Sequence, residues 1–176
     1  FEHFIGDVNV DFPSDQFDAA MANHSLHHFV GLEHIFGKVS AGLSEDGVFV
    51  INDMIGRNGH MRWPEALPFV EQIWNYLPLE KRFNSHAKCY EDWPFVNYDC
   101  TTGGDFEGVR AQDILPLLLK HFHFAKFVGF GNIPDVFVDR EYGQNFSPED
   151  DADRRLIDYL DALNSHLIDT GIVKPT

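Results

Sequence analysis

The sequence predicts an α/β fold, and three observations carry that prediction. "FDAAMAN" (17–23) and "GVFVIND" (47–53) are apolar runs ending in polar residues, as strands buried on both faces of a parallel sheet read. Between them Leu32, Ile35, Phe36, Val39 and Leu43 recur at helical spacing. Towards the C-terminus "FAKFVGF" and "DVFVDREY" flank "GNIP", which reads as an antiparallel hairpin closing the sheet.

The remaining elements follow in order. "EHFIGDV" (2–8) reads as a short strand ending on Asp7, and "FPSD" as the turn after it. "SEDG" ends the helix that begins near Leu32. A second helix is expected from about Pro64, a favoured first-turn residue, using Leu67, Val70, Ile73, Trp74 and Leu77. Residues 79–106 show no period and are rich in aromatics, His and Asn; a loop of that length is usually a functional segment or a lid. "QDILPLLLKHF" (112–122) is helical, with Pro116 placed to start or kink it. "SPED" (147–150) offers an N-cap Ser, a first-turn Pro and an acid three residues on. Leu156, Leu160, Leu163 and Leu167 then line one face of a C-terminal helix over 148–169. The whole, 1–176, is read as one domain with an insertion or lid around 57–110.

Composition narrows the function. With 176 residues, 44% hydrophobic and 17 Phe, the chain has material for one folded core. No apolar run approaches the roughly 20 residues that span a bilayer, so no membrane role is expected. A net charge of −15 disfavours nucleic acid and anionic lipid as partners. Residues 1–53 hold nine acids against one base, whereas 54–146 hold twelve against nine, so a site for an anionic group is expected in the middle. Only Cys89 and Cys100 are present, ten residues apart in neither a zinc spacing nor a disulfide framework. With no signal-peptide pattern opening the chain, reduced thiols and a cytoplasmic location are expected.

Three predicted strand ends carry polar residues: Asp7, Asn23-His24 and Asn52-Asp53. If those strands are parallel, the three groups face one crevice, where α/β sheets bind ligands. Gly6-Asp7, Phe17-Asp18, Leu26-His27-His28, Gly47 and Asp53, in this order and spacing, resemble the middle of class I S-adenosylmethionine-dependent methyltransferases. The resemblance covers residues 1–53 by motif and 107–146 by topology. "RNGHMRWPEA", "FEGVRAQDILPLL" and "DREYGQNF" look like a subgroup linked to sugar or polyketide modification.

What the resemblance implies is a partial doubly wound, Rossmann-like sheet ending in an antiparallel hairpin. The implied activity is methyl transfer from S-adenosylmethionine to a small-molecule acceptor. Asp7 would accept from the adenine amino group and Val8 offer its backbone N–H. Asn23 would border the methionine part of the cofactor, with His24 and His28 near the methyl group and His27 on the packing side. The family's Gly-rich first loop and ribose-binding acid are not in this sequence. The chain therefore reads as a C-terminal portion of a methyltransferase, inactive alone, whose central sheet edge is covered by self-association or by a segment preceding Phe1.

A hydroxyl acceptor benefits from a base within hydrogen-bond reach, and His28 and His60 are the candidates. Arg57, Arg62 and Arg110 are candidates for a substrate carboxylate or phosphate, with salt bridges as the competing role for each. Trp63, Tyr90, Trp93 and Tyr98 could wall the acceptor, or equally form core. His24, His27 and His28 repeat no recognised ligand spacing, so no metal is expected. Two further classes stay open: a non-catalytic oligomerising fragment and, remotely, a metal-dependent oxygenase.

Overall fold

The computed structural model describes residues 5–104, 106–139 and 141–176. Among them the chain is mixed α/β, with five helices, one two-stranded parallel sheet and one two-stranded antiparallel pair. It divides into two compact units. The first holds the described residues up to Met61 together with Tyr98–Phe127; the second holds Arg62–Asn97 and Val128–Thr176.

The first unit is built on β1 (Phe17–Asn23), α1 (Leu32–Gly42) and β2 (Leu43–Asn52). β1 and β2 are parallel neighbours, paired in continuous register from Ala19↔Val48 to Asn23↔Asn52. The expected strand 47–53 thus starts earlier, at Leu43, and the register shifts between Phe17 and Ala19. "SEDG" does follow the helix end, but it lies inside β2 at that irregularity, with Ser44 Oγ donating to Asp18 Oδ1 at 2.8 Å.

α3 of this unit (Ala111–His121) packs on α1, with Pro116 inside it as expected. Leu32, Ile35, Phe36 and Val39 of α1 meet Ile114, Leu117 and Leu118 of α3, and Ala20, Ala22, Phe49 and Ile51 supply the inner sheet face. Phe36 is wholly buried, and truncating such a side chain to Ala costs about 3–5 kcal/mol.

Residues 5–8, within the expected first strand, form no strand; Glu2–Phe4 lie outside the described residues. Asp7 explains the difference. Its carbonyl accepts from Val10 N and Asp11 N, and its Oδ1 accepts from Asn9 N at 2.9 Å and Asn9 Nδ2 at 2.8 Å. An Asp side chain that bonds the backbone two residues on offers the chain a turn instead of a ladder.

The second unit contains α2 (Leu67–Tyr76), the short pair β3 (Phe83–Asn84) and β4 (Cys89–Tyr90), α4 (Asp135–Val138) and α5 (Asp151–Asp169). Its core joins Val70 and Trp74 of α2, Ile133, Val136 and Phe137 around α4, and Leu160 and Leu167 of α5. α2 starts three residues later than Pro64, after a turn closed by Ala66 N donating to Trp63 O. The aperiodic stretch 79–106 holds the β3–β4 pair and short helical turns at Leu79–Lys81 and Cys100–Gly103. Cys89 and Cys100 are not joined in a disulfide.

The expected hairpin over 124–142 is not formed. No described residue there pairs as a strand, and "DVFV" is the helical turn α4. Pro134 already has helical angles (φ −60, ψ −39) and begins that turn. The buried residues Ile133, Val136 and Phe137 stand three and four apart, a helical spacing hidden inside an apparently alternating run.

The C-terminal helix is capped by Asp150, not by Ser147: the Asp150 side chain accepts from Ala152 N and Asp153 N at 2.8 and 3.0 Å. Ser147 sits one turn earlier and accepts from Glu149 N. At the other end Gly171 adopts φ +70, and Ile172 N and Val173 N return to Leu167 O, closing the last turn. No helix among the described residues is long and apolar enough to cross a membrane.

Candidate functional site

Both strands of the parallel sheet end in polar chain, and the site grows from there. Asn52 Nδ2 donates to Asn23 Oδ1 across the strand ends at 3.0 Å, and His24 N donates to Asn52 O at 2.8 Å. His24 then takes φ +45, an uncommon conformation that turns the chain into the helical turn Leu26–His28.

Asp53, the first residue past β2, holds that turn. Its side chain is fully buried. Oδ2 accepts from Ser25 N at 2.9 Å and Leu26 N at 2.7 Å, and Oδ1 accepts from Met54 N at 2.9 Å. Oδ1 also meets His27 Nδ1 at 2.5 Å. Burial opposes the charge, but the hydrogen bonds from His27, Ser25 and Leu26 outweigh it and keep the carboxyl pKa below the ordinary aspartate value. Because an ionised carboxylate only accepts, Nδ1 of His27 carries the proton and Nε2 is left to face outward.

Two further segments meet that face. The turn Asn58–His60 brings His60, whose ring lies 5.0 Å from that of His27. The stretch 106–108 brings Glu107. His60 Nε2 lies 3.0 Å from Glu107 Oε2, and His27 Nε2 lies 3.8 Å from the same oxygen. The bond from His60, assisted by the fields of His28, His60 and His27, lowers the Glu107 pKa despite partial burial. The His28 ring lies 4.1 Å from that of His27, tilted by 47°, and its Nδ1 contacts Phe106 O at 3.1 Å.

Glycine makes this approach feasible. Gly59 N donates to Gly108 O at 3.0 Å, and Val109 N donates to His27 O at 3.1 Å. Gly59 and Gly108 have φ +68 and +69; a Cβ at Gly59 would fall 2.0 Å from Asp99 Oδ1, and one at Gly108 3.0 Å from His60 N. His60 itself takes φ +57, a strain that side chains accept mainly where surrounding structure enforces it.

The other expected residues take these places. Asp7 is exposed and ionises more readily than usual through its Asn9 bonds. Asn9 Oδ1 in turn accepts from Gly31 N, fixing the Asp7 turn at the start of α1. Val8 packs against the first unit's core. Arg57 lies near enough to Asp99 to help lower its pKa, after the larger effect of the Thr101 bonds. Arg110 is engaged by carboxylates: Nη1 and Nη2 meet both oxygens of Glu33 at 2.8 and 2.7 Å, and Nε meets Asp113 at 2.8 Å. Arg62 and Trp63 belong to the second unit. There Arg62 Nη1 meets Asp135 at 3.2 Å, Trp63 Nε1 donates to Pro175 O, and Lys174 Nζ sits 4.5 Å from the Trp63 ring centre.

The structure therefore groups His24, His28 and His60 around His27. Sequence reasoning assigned His27 to packing; it is indeed buried, but its ring is also the centre of the group. Glu107 was not singled out. Its neighbours in space stand 47 and 80 positions away, and nothing local in "FEGV" marks it.

Compared with protein-family profiles, with curated proteins and with solved structures, the chain gave no match.

Proposed function

We propose that this chain is part of an S-adenosylmethionine-dependent methyltransferase acting on a small-molecule acceptor. In this reading β1, α1 and β2 are the fourth strand, following helix and fifth strand of a partial doubly wound sheet. The observation that carries the reading is the parallel β1–β2 pair, with its polar strand ends opening onto the histidine cluster. Parallel α/β sheets bind ligands at that end.

The residues present fit one end of the cofactor. Asp7 offers an exposed, ionised carboxylate on a turn pinned to α1, suited to an amino group. Val8 follows it in the same turn, its side chain packed on the core. Asn23 and His24 follow at the end of β1. The bound cofactor would supply a methyl group activated by a positively charged sulfur. The chain's own task is alignment, exclusion of water and management of one proton. His60 or His28 would take a proton from an acceptor hydroxyl, and Glu107 would stabilise the resulting imidazolium.

Titration calorimetry with S-adenosylmethionine, on the longest polypeptide the gene encodes, tests this proposal. Binding is expected, and Asp7→Ala should measurably weaken it, because the amino group would lose its acceptor. Absence of binding, or an unchanged affinity in Asp7→Ala, sinks the assignment.

A further inference from the structure

We propose that His27, His60 and Glu107 bind a divalent first-row metal ion of the zinc class, with Asp53 as the carboxylate behind His27. One donor atom of each of the three lies within 4.8 Å of both others. This inference goes beyond methyl transfer; with the ion bound, His60 is a ligand and the base of the proposed transfer falls to His28.

Asp53 sets the orientation of the His27 ring. Asp53 accepts from three backbone N–H groups and meets His27 Nδ1 at 2.5 Å, which leaves Nε2 as the ring nitrogen turned towards Glu107. Nε2 lies 3.8 Å from Glu107 Oε2. The separation is too long for a hydrogen bond. It suits two ligands of one ion, which in a tetrahedral site with bonds near 2.1 Å stand about 3.4 Å apart. His60 Nε2, 3.0 Å from the same oxygen, closes the triangle from the other side. Two imidazoles and one carboxylate are the donor set of catalytic zinc and of non-haem iron sites, both of which keep a position open.

The surroundings hold the donors before any ion arrives. The Asp53–His27 pair reproduces the carboxylate–histidine–metal arrangement, in which the outer carboxylate fixes ring orientation and raises ligand basicity. The Gly59–Gly108 backbone bond and the positive φ of His60 fix the other two segments. Glu107 retains 42% of its side-chain exposure, which leaves the open position on the solvent side. A hydrogen bond between His60 and Glu107 engages two of the three donors and leaves His27 Nε2 at 3.8 Å, beyond hydrogen-bond reach, whereas one ion engages all three.

The test uses untagged, chelator-treated protein titrated with Co²⁺ and Zn²⁺. Co²⁺ should develop visible ligand-field bands at one equivalent, and Zn²⁺ should abolish them. His60→Asn and Glu107→Gln should each weaken Zn²⁺ binding at least 100-fold. Asp53→Asn should weaken it 10–100-fold, the usual effect of losing the outer partner. His86→Ala, on the other unit, should leave it unchanged. Circular dichroism before metal addition identifies any variant that fails to fold, and the two near-isosteric variants are chosen to keep the fold. No Co²⁺ bands at millimolar metal, or wild-type affinity in both folded His60→Asn and Glu107→Gln, overturns the site. Repeating the S-adenosylmethionine titration on the chelated protein keeps the two proposals separable, because cofactor binding there is untouched by the failure of the metal site.

Discussion

Asp53 stands where four donors converge, and no other residue of the site has so many dependants. Asp53→Ala would leave Ser25 N, Leu26 N, Met54 N and His27 Nδ1 without their acceptor. At 1–3 kcal/mol per unsatisfied buried group, partly relieved by water, a loss of about 3 kcal/mol is expected in urea unfolding. The pH dependence has a definite sign. Asp53 and Glu107 both titrate lower in the folded chain than their ordinary values of 3.8 and 4.5. The unfolded chain therefore takes up protons first, so stability is whole above pH 4.5 and drains as pH falls through the folded values. Acid unfolding followed by fluorescence should become shallower in Asp53→Asn, and an unchanged acid limb would remove Asp53 from this role. Arg110 makes the opposite case. Its Glu33 partner, held at a pKa of about 2, is mostly exposed, and an exposed pair contributes under about 1 kcal/mol. Arg110→Ala should thus barely change stability, so a large fall in turnover on the true acceptor would mark a substrate contact.

Elements decide which residues can meet, and here local pattern and long-range contact part company. α1, α2, α3 and the body of α5 were legible because each repeats its apolar residues at helical period and buries that stripe, and β1 because it is a short apolar run ending in polar residues. The first strand and the terminal hairpin were not. In one, an Asp side chain diverts the backbone into a turn; in the other, Pro134 and three buried residues at helical spacing turn an apparent strand into α4. Strand ends likewise announced Asn23, His24 and Asp53, whereas Glu107 arrives through a glycine contact that leaves no local signature. That contact is itself testable. Gly59→Ala would combine a left-handed backbone with a Cβ 2.0 Å from Asp99, whose carboxylate is tied down by Thr101 N and Oγ1. A loss of about 2 kcal/mol or more is expected by thermal or urea unfolding. If Gly59→Ala melts like the parent, Asp99 can move aside and the segment is not clamped.

At the scale of the whole molecule, charge and an uncovered sheet face oppose each other. The inner face of β1 and β2 packs on α1 and α3, but Met21, Val48 and Val50 on the other face are 76%, 53% and 49% exposed. Parallel sheets bury both faces, because their strands are apolar on both sides, and a two-stranded sheet with one apolar face open invites a covering partner. A net charge of −15 works against association of identical copies. Self-association through this face should therefore be weak at low ionic strength. It should strengthen as salt shortens the screening length from about 30 Å at 0.01 M to about 8 Å at 0.15 M. Sedimentation velocity across a concentration series at those two salt levels measures this directly. Replacing both Met21 and Val48 with Lys puts cations on the face and lowers the net charge that opposes pairing. If the face is the interface, association should still fall, because burying two lysines costs more than the relieved repulsion returns. If charge alone governs it, the same variant should associate more strongly than the parent. A parent chain that stays monomeric at both salt levels across the series would show that this apolar face needs no partner.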